Sequence, residues 1–346
     1  MAKVLFRGTE CELEPGESVL DCLLRYGYDC VYSCRTGKCR ACLLRADEHE
    51  AIPPVSQKGL KETWTQRGYF MPCVSRISGD TSMTLRTVDE AERAEVELLE
   101  KKRLSSAVTR IRLRPRAELK FQPGQFVTLL RDENLVGRSY SIASLPHEGY
   151  LELHVRRWPG GAMSPWIHDE LEPGDSLYLR GPYGECFYVP GEPERPLLLI
   201  GTGTGAAPLW GVLRHALHLG HTGPIVFMHK GHDEDALYLH EELLAMEEKH
   251  ESLTYRPCVT IDGGEAGVSF GSIIEMARNQ LLSLPDPTAA RAYICGNPDV
   301  VKMLRKELFL AGLSMRDIFF DAFVYNTLQK RHIAKVIGKQ LTEAMG

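Results

Sequence analysis

No apolar run in the 346 residues approaches the roughly 20 needed to cross a bilayer, so a membrane span is not expected. The start, MAKVLFRGTECELEPG, lacks a basic segment followed by an apolar one, and no secretory leader is expected there. Positive charge is not in excess. The 41 Lys+Arg against 46 Asp+Glu leave −5, which gives no global reason to bind nucleic acid; an acidic partner would need a local patch. There is no long internal repeat and no low-complexity tract. Without a sign of export, the ten cysteines are expected in a reducing cytoplasm, where clustered thiols more often hold metal than pair as disulfides. What is present is an ordinary globular composition, 43% hydrophobic and 25% charged, in a chain too long for one core. Two or three domains are expected.

The patterning changes character along the chain. KVLFRGTECELE (3–14) alternates with period two around Gly8-Thr9, which predicts a β-hairpin, and SVLDCLLRYG (18–27) predicts a helix stopped by Gly27. SMTLRTV (82–88) has strand character. Residues 89–103, DEAERAEVELLEKKR, are charge-dense and are expected to be a linker or a first helical turn. From 104 to 192, VTRIRLRP, QFVTLL, RSYSIAS, YLELHVRR and SLYLRG are short strands bent at Pro-Gly pairs 123–124, 159–160 and 173–174, the spacing of an antiparallel barrel. From 195 to 323, apolar strands at 197–200, 225–228, 255–261, 291–295 and 317–323 alternate with helical stretches near 206–219, 236–249, 272–283 and 299–311. That alternation predicts a doubly wound parallel sheet covered on both faces.

Cys34, Cys39 and Cys42 are spaced C-x4-C-x2-C, and Cys73 follows after thirty residues. Zinc modules pair two short knuckles, and no second knuckle is here. The spacing is that of plant-type [2Fe–2S] ligands, in which a tight loop supplies three thiolates and a distant strand end the fourth. Gly37, Lys38 and Arg40 leave room for backbone N–H groups to face the sulfurs. Zinc and a redox-active thiol pair remain as alternatives. The other six cysteines, 11, 22, 30, 186, 258 and 295, are expected to be small buried hydrophobes. Segment 1–88 resembles the plant-type ferredoxin domain over its whole length, which implies an α+β β-grasp fold.

GRSYSIAS (137–144) resembles the flavin signature of the ferredoxin–NAD(P) reductase superfamily. The match implies that Arg138 forks onto a pyrophosphate, Tyr140 stacks on the isoalloxazine and Ser141 reaches its N5 edge. HVRRWPGGAMS (154–164) matches the family's second element, with Arg156 and Gly161, Ala162, Met163 and Ser164 at the flavin phosphates, and GPYGECF (181–187) resembles its GPxGxF turn. LLLIGTGTGAAP (197–208) runs a strand into G-x-G-x-x-A and a helix, so that Gly201, Gly203, Gly205 and Pro208 admit a dinucleotide pyrophosphate. The acid of the classical fingerprint is absent; His229 and Lys230 end the second strand. NADPH-selective members of the superfamily carry a Ser-x-Arg-like patch after the third strand. Here TIDGGEAG (260–267) has no arginine and two acids, so NADH is favoured and NADPH remains possible. CGNP (295–298) resembles the element that sets Cys295 and Gly296 near the nicotinamide. DAF (321–323) aligns with an acidic-x-aromatic ending, in which Phe323 shields the flavin and Asp321 tunes the hydride site.

His215, His218 and His221 recur every third residue but are expected to be solvated on a surface helix ending at Gly220. The tail 324–346 is basic and amphipathic: Ile333, Val336, Ile337 and Leu341 share one helical face, beside Lys330, Arg331, Lys335 and Lys339. It is expected to pack on the nucleotide domain or to dock an acidic partner or membrane surface. The order of domains resembles the reductase components of bacterial multicomponent oxygenases. The resemblance implies a monomeric, cytoplasmic protein that moves electrons from NADH through FAD and a [2Fe–2S] cluster to an oxygenase component, with Lys38 and Arg40 steering that partner. Other acceptors of the same chemistry, a deoxysugar dehydratase, a P450 or a free-standing one, stay open, as does a zinc-stabilised binding module without redox activity.

Overall fold

The computed structural model describes residues 2–28, 30, 35–37, 42–87, 93–131, 137–261, 263–264 and 266–323. Cys34, Lys38, Cys39, Arg40 and the tail 324–346 lie outside the described residues. Strands β1 (Lys3–Phe6) and β2 (Thr9–Glu12) pair as an antiparallel hairpin. Its turn falls on Arg7 and Gly8, at φ 50° and 80°, one residue before the expected pair. Two successive positive φ values match the right-handed twist of the strands. Helix α1 (Val19–Arg25) starts where the Ser18 hydroxyl accepts the Asp21 N–H and ends before Gly27, at φ 80°. Strand β3 (Leu44–Ala46), helix α2 (Glu62–Gln66) and strands β4 (Tyr69–Phe70) and β5 (Ser82–Thr87) complete a sheet ordered β2-β1-β5-β3-β4. Val4, Cys11, Leu23, Phe70 and Met83 pack α1 onto it.

The expectation of a linker over 89–103 is corrected: Arg93–Arg103 is strand β6, eleven residues long. Val96 and Leu98 are fully buried, whereas Glu95, Glu97 and Glu100 meet Arg116, Arg114 and the pair Arg110 and Arg112 from the next strand and the residue after it. The charge density is one side of a cross-strand ion-pair ladder, not a solvated connector. With β6 stand β7 (Val108–Pro115), β8 (Phe126–Leu130), β9 (Gly137–Ser141), β10 (Leu151–Arg156), helix α3 (Ser164–Asp169) and β11 (Ser176–Tyr183). The antiparallel order is β10-β7-β6-β11-β8-β9. An Ile142–Leu153 bridge and an Ala143 N–H donated to Glu152 O at 2.8 Å join its two ends into a barrel.

The last region holds β12 (Leu197–Thr202), α4 (Ala206–His218), β13 (Ile225–Lys230), α5 (His240–Lys249), β14 (Leu253–Val259), β15 (Ser269–Phe270), α6 (Ile273–Leu282), β16 (Arg291–Gly296), α7 (Pro298–Leu310) and β17 (Ile318–Ala322). All pairs are parallel, in the order β15-β14-β13-β12-β16-β17. The winding reverses between β12 and β16, so their carboxyl ends open a crevice. One face packs Leu199, Phe227 and Tyr293 under Leu209 and Leu213 of α4, in a core that continues into Val108, Cys186, Tyr188 and Val189 of the barrel region. The other packs Ile200, Met228 and Ile294 under Ala277 of α6 and Leu304 of α7. No helix of the described residues is long and apolar enough to cross a membrane.

Candidate functional site

Of the four expected metal ligands, Cys42 and Cys73 are described, and the fold buries both in one cluster. They share a small apolar cluster with Leu20, Leu43, Tyr69 and Met71. Burial pushes the Cys42 thiol up to about 11, so only a bound cation would hold it as thiolate. Gly37 lies at φ 70°, and a Cβ on it would sit 3.1 Å from Val74 Cγ2. Two buried thiols, with Cys73 just beyond the end of β4 and its neighbour Val74 against this glycine, fit thiolate ligation of a cluster.

On β9, Arg138 and Tyr140 point to one side of the strand and both are half-buried; Ser141 is buried. Arg156 ends β10 exposed. Gly161 is half-buried, Ala162 exposed and Met163 buried, and the buried Ser164 Oγ accepts the Trp158 N–H at 2.9 Å, leaving its own proton to give. The 181–187 turn contains a cis Gly181–Pro182 peptide, and Gly184, at φ 94°, is against the Phe126 ring. Phe126 pairs with both Ser141 and Tyr183, so the turn is two strands from Ser141.

The crevice between β12 and β16 is lined by backbone at contact distance. A Cβ on Gly205 would fall 2.2 Å from Cys295 O, one on Gly201 2.9 Å from Ala206 N, and one on Gly296 2.2 Å from Thr202 Oγ1. Pro208 is buried in the first turn of α4. Gly203, at φ 54°, would place a Cβ 3.7 Å from an Arg156 guanidinium nitrogen, so the barrel's arginine meets the nucleotide turn. At the end of β16 and β17, Cys295 is directly opposite Asp321, and the Phe323 N–H donates to Gly296 O at 2.8 Å. Burial raises the Asp321 carboxyl to about 6. Cys295 Sγ is 3.4 Å from Cys186 Sγ, and Gly124, whose N–H donates to Ile142 O, lies against Cys186 O. Through these buried contacts the segment following Ser141 packs against the Cys295 end of β16.

Comparison with protein-family models matches three regions: residues 4–78 to a 2Fe-2S iron-sulfur cluster binding domain, 95–188 to an oxidoreductase FAD-binding domain and 199–306 to an oxidoreductase NAD-binding domain. The chain joins a 2Fe-2S domain to oxidoreductase FAD-binding and NAD-binding domains, and its homologues are reductase components of multicomponent oxygenases. Among curated relatives, the ferredoxin–NAD(P)(+) reductase component of a Pseudomonas putida naphthalene 1,2-dioxygenase system is 29% identical over 89% of this chain and 94% of its own. The propane 2-monooxygenase reductase component of Rhodococcus jostii (strain RHA1) is 27% identical over 93% and 91%. Among solved structures, the Amycolatopsis cytochrome P450 reductase GcoB superposes with a TM-score of 0.63 at 27% identity, over 93% of this chain and 99% of that one.

Several residues of this reductase were not legible as functional in the sequence. His229 is fully buried under the nucleotide turn; burial lowers it to about 4, so the neutral ring donates Nε2–H to Gly203 O at 3.0 Å. Thr202 accepts the Asn297 N–H at 2.8 Å and ties β12 to β16. The expectation that His215, His218 and His221 are all solvated is corrected. His218 is exposed and stacks on His147, but His221 is buried and meets Tyr188 Oη at 3.1 Å, and His215 is half-buried with burial lowering it to about 4. The end of α4 packs beneath the barrel segment carrying Tyr188, which a helical wheel does not reveal. Cys30 is half-buried rather than buried; the other five remaining cysteines are buried as expected.

Proposed function

We propose that this reductase takes electrons from NADH and delivers them singly to a separate oxygenase component. A bound flavin supplies the two-electron to one-electron conversion between the nicotinamide and the iron–sulfur cluster. The chain's own residues arrange it: Arg138, Tyr140, Arg156 and the 161–164 segment hold the flavin, Gly201, Gly203 and Gly205 admit the nucleotide pyrophosphate, and Ser141, Cys295, Asp321 and Phe323 surround the hydride site. Cys34, Cys39, Cys42 and Cys73 hold the cluster. The carrying observation is the buried contact chain in which Gly124 and Cys186 join the segment following Ser141 to Cys295.

NADH over NADPH is supported by Lys230. Its ammonium donates to Val259 O, at the third strand's end, at 3.0 Å and to Gly271 O at 2.6 Å, so this cation is tied to backbone, not offered to a 2′-phosphate. A kcat/KM at least tenfold higher for NADH supports this reading; equal values or an NADPH preference overturn it. The oxygenase acceptor is supported by the oxygenase systems to which the relatives belong, and a P450 is the second reading because GcoB serves one. NADH-driven oxygen uptake with a purified hydroxylase component, against none with a P450, separates the two.

A further inference from the structure

We propose that Lys61, Glu62 and Arg67, on and flanking α2, form a charge latch that positions the cluster-bearing domain on the flavin domain for the internal one-electron step. The proposal rests on the functional reading above but concerns residues outside the nucleotide and flavin sites.

Each of the three grips a different element. Lys61 Nζ is 3.2 Å from Glu185 Oε2 and 5.9 Å over the Phe320 ring. Arg67 donates to Gly184 O at 3.0 Å and Pro182 O at 3.5 Å. Glu62 Oε2 accepts from Arg291 at 2.9 Å. Arg291 is only 2% exposed at the foot of β16, beside Val189 O, Glu192 and Asp317, so Glu62 shares in neutralising a buried guanidinium. On the flavin side, the 182–185 turn is joined through Tyr183, Phe126 and Ser141 across two strand spacings, about 10 Å. On the cluster side, Arg67 precedes Cys73 by six residues, through β4 and the buried Phe70 and Met71. The latch therefore ties the strand end carrying a cluster ligand to the sheet carrying the flavin signature.

Among the described residues the seam is polar rather than apolar. Among the described residues, no apolar core cluster crosses from the first domain to the other two. An open cleft of about 540 Å³ lies beside α2, with Gln57 and Thr65 on one side and Gln122 and His215 on the other. Contacts bordering water are screened by salt, so the docked population falls as ionic strength rises. Apolar burial elsewhere in the chain has no such dependence.

The test uses the holoprotein and the variants Lys61→Glu and Glu62→Lys. NADH:ferricyanide turnover, which needs only the flavin, stays within about twofold of wild type. Stopped-flow reduction of the cluster slows about tenfold at 50 mM salt, the coupling that a few such ion pairs sustain. The radius of gyration from X-ray scattering rises toward the value that wild type reaches at 500 mM salt. In the double variant Lys61→Glu/Glu185→Lys, the reversed pair restores most of the cluster step. Unchanged cluster reduction and scattering in both single variants overturn the latch. So does a slowed step with no rescue and no change in scattering, which would mark a local defect. A reduced protein silent in paramagnetic resonance would sink the functional reading, while the scattering comparison would still decide the docking.

Discussion

Where the barrel meets the parallel sheet, Val108, Cys186, Tyr188 and Val189 pack with Leu199, Leu209 and Val212 in one continuous core. Where the first domain meets both, the contacts among the described residues include Lys61 with Glu185 and Phe320, Arg67 with two carbonyls and Glu62 with Arg291. The difference follows the chemistry each seam serves. A hydride moves only between atoms in contact, so the flavin and nicotinamide must be held to within tenths of an ångström by close packing. A single electron tolerates a gap, and a cluster that must also face another protein gains from a seam that charge can hold and salt can loosen.

Disturbing the tightly packed nucleotide turn beside the apolar seam has the largest expected effect. Gly205→Ala would place a Cβ 2.2 Å from Cys295 O, displacing the turn or β16. It is expected to cost about 100-fold or more in NADH kcat/KM, while an NADH-independent chemical reduction of the cluster is unchanged. Leu209→Ala, in the shared core, is expected to lose about 2–5 kcal/mol in urea unfolding with the flavin released in the same transition. Asp321 gives a smaller, pH-dependent effect. Its carboxyl is raised from 3.8 to about 6 by burial, so the folded chain keeps a proton that the unfolded chain has released. That contribution is fully present below pH 3.8 and is lost as pH rises through about 6. In the cofactor-stripped chain, Asp321→Asn should therefore show a smaller fall in Tm between pH 4 and 7 than wild type. An equal fall in both would show that the carboxyl is not buried as described. Smallest is Lys61→Ala, expected to change global stability by less than about 1 kcal/mol because the pair is partly solvated. A larger loss would mean that the ionic seam is part of the folded core.

Much of the architecture was legible because the glycines and prolines punctuate it. The Pro-Gly bends at 124, 160 and 174 all take positive φ, and the strand-to-glycine run at 197–205 falls on the sheet's reversal point. What misled was charge. Residues 93–103 have buried Val96 and Leu98 alternating with glutamates, a period-two signal hidden because the arginines that neutralise those glutamates belong to the following strand and the residue after it. The histidines of α4 misled for the same reason: their surroundings come from residues 147 and 188, far along the chain. The contacts of α2 with residues 182–185 and 291 link segments more than a hundred positions apart, and no local pattern announces them.

The most direct test of the account is an anaerobic titration of the fully loaded chain with NADH, followed in the visible spectrum and by paramagnetic resonance. Two electrons for a flavin and one for a binuclear cluster require about 1.5 NADH per chain, with both absorbances bleached at the end point. An end point at 1.0, with the flavin bleached and no paramagnetic iron, would contradict it.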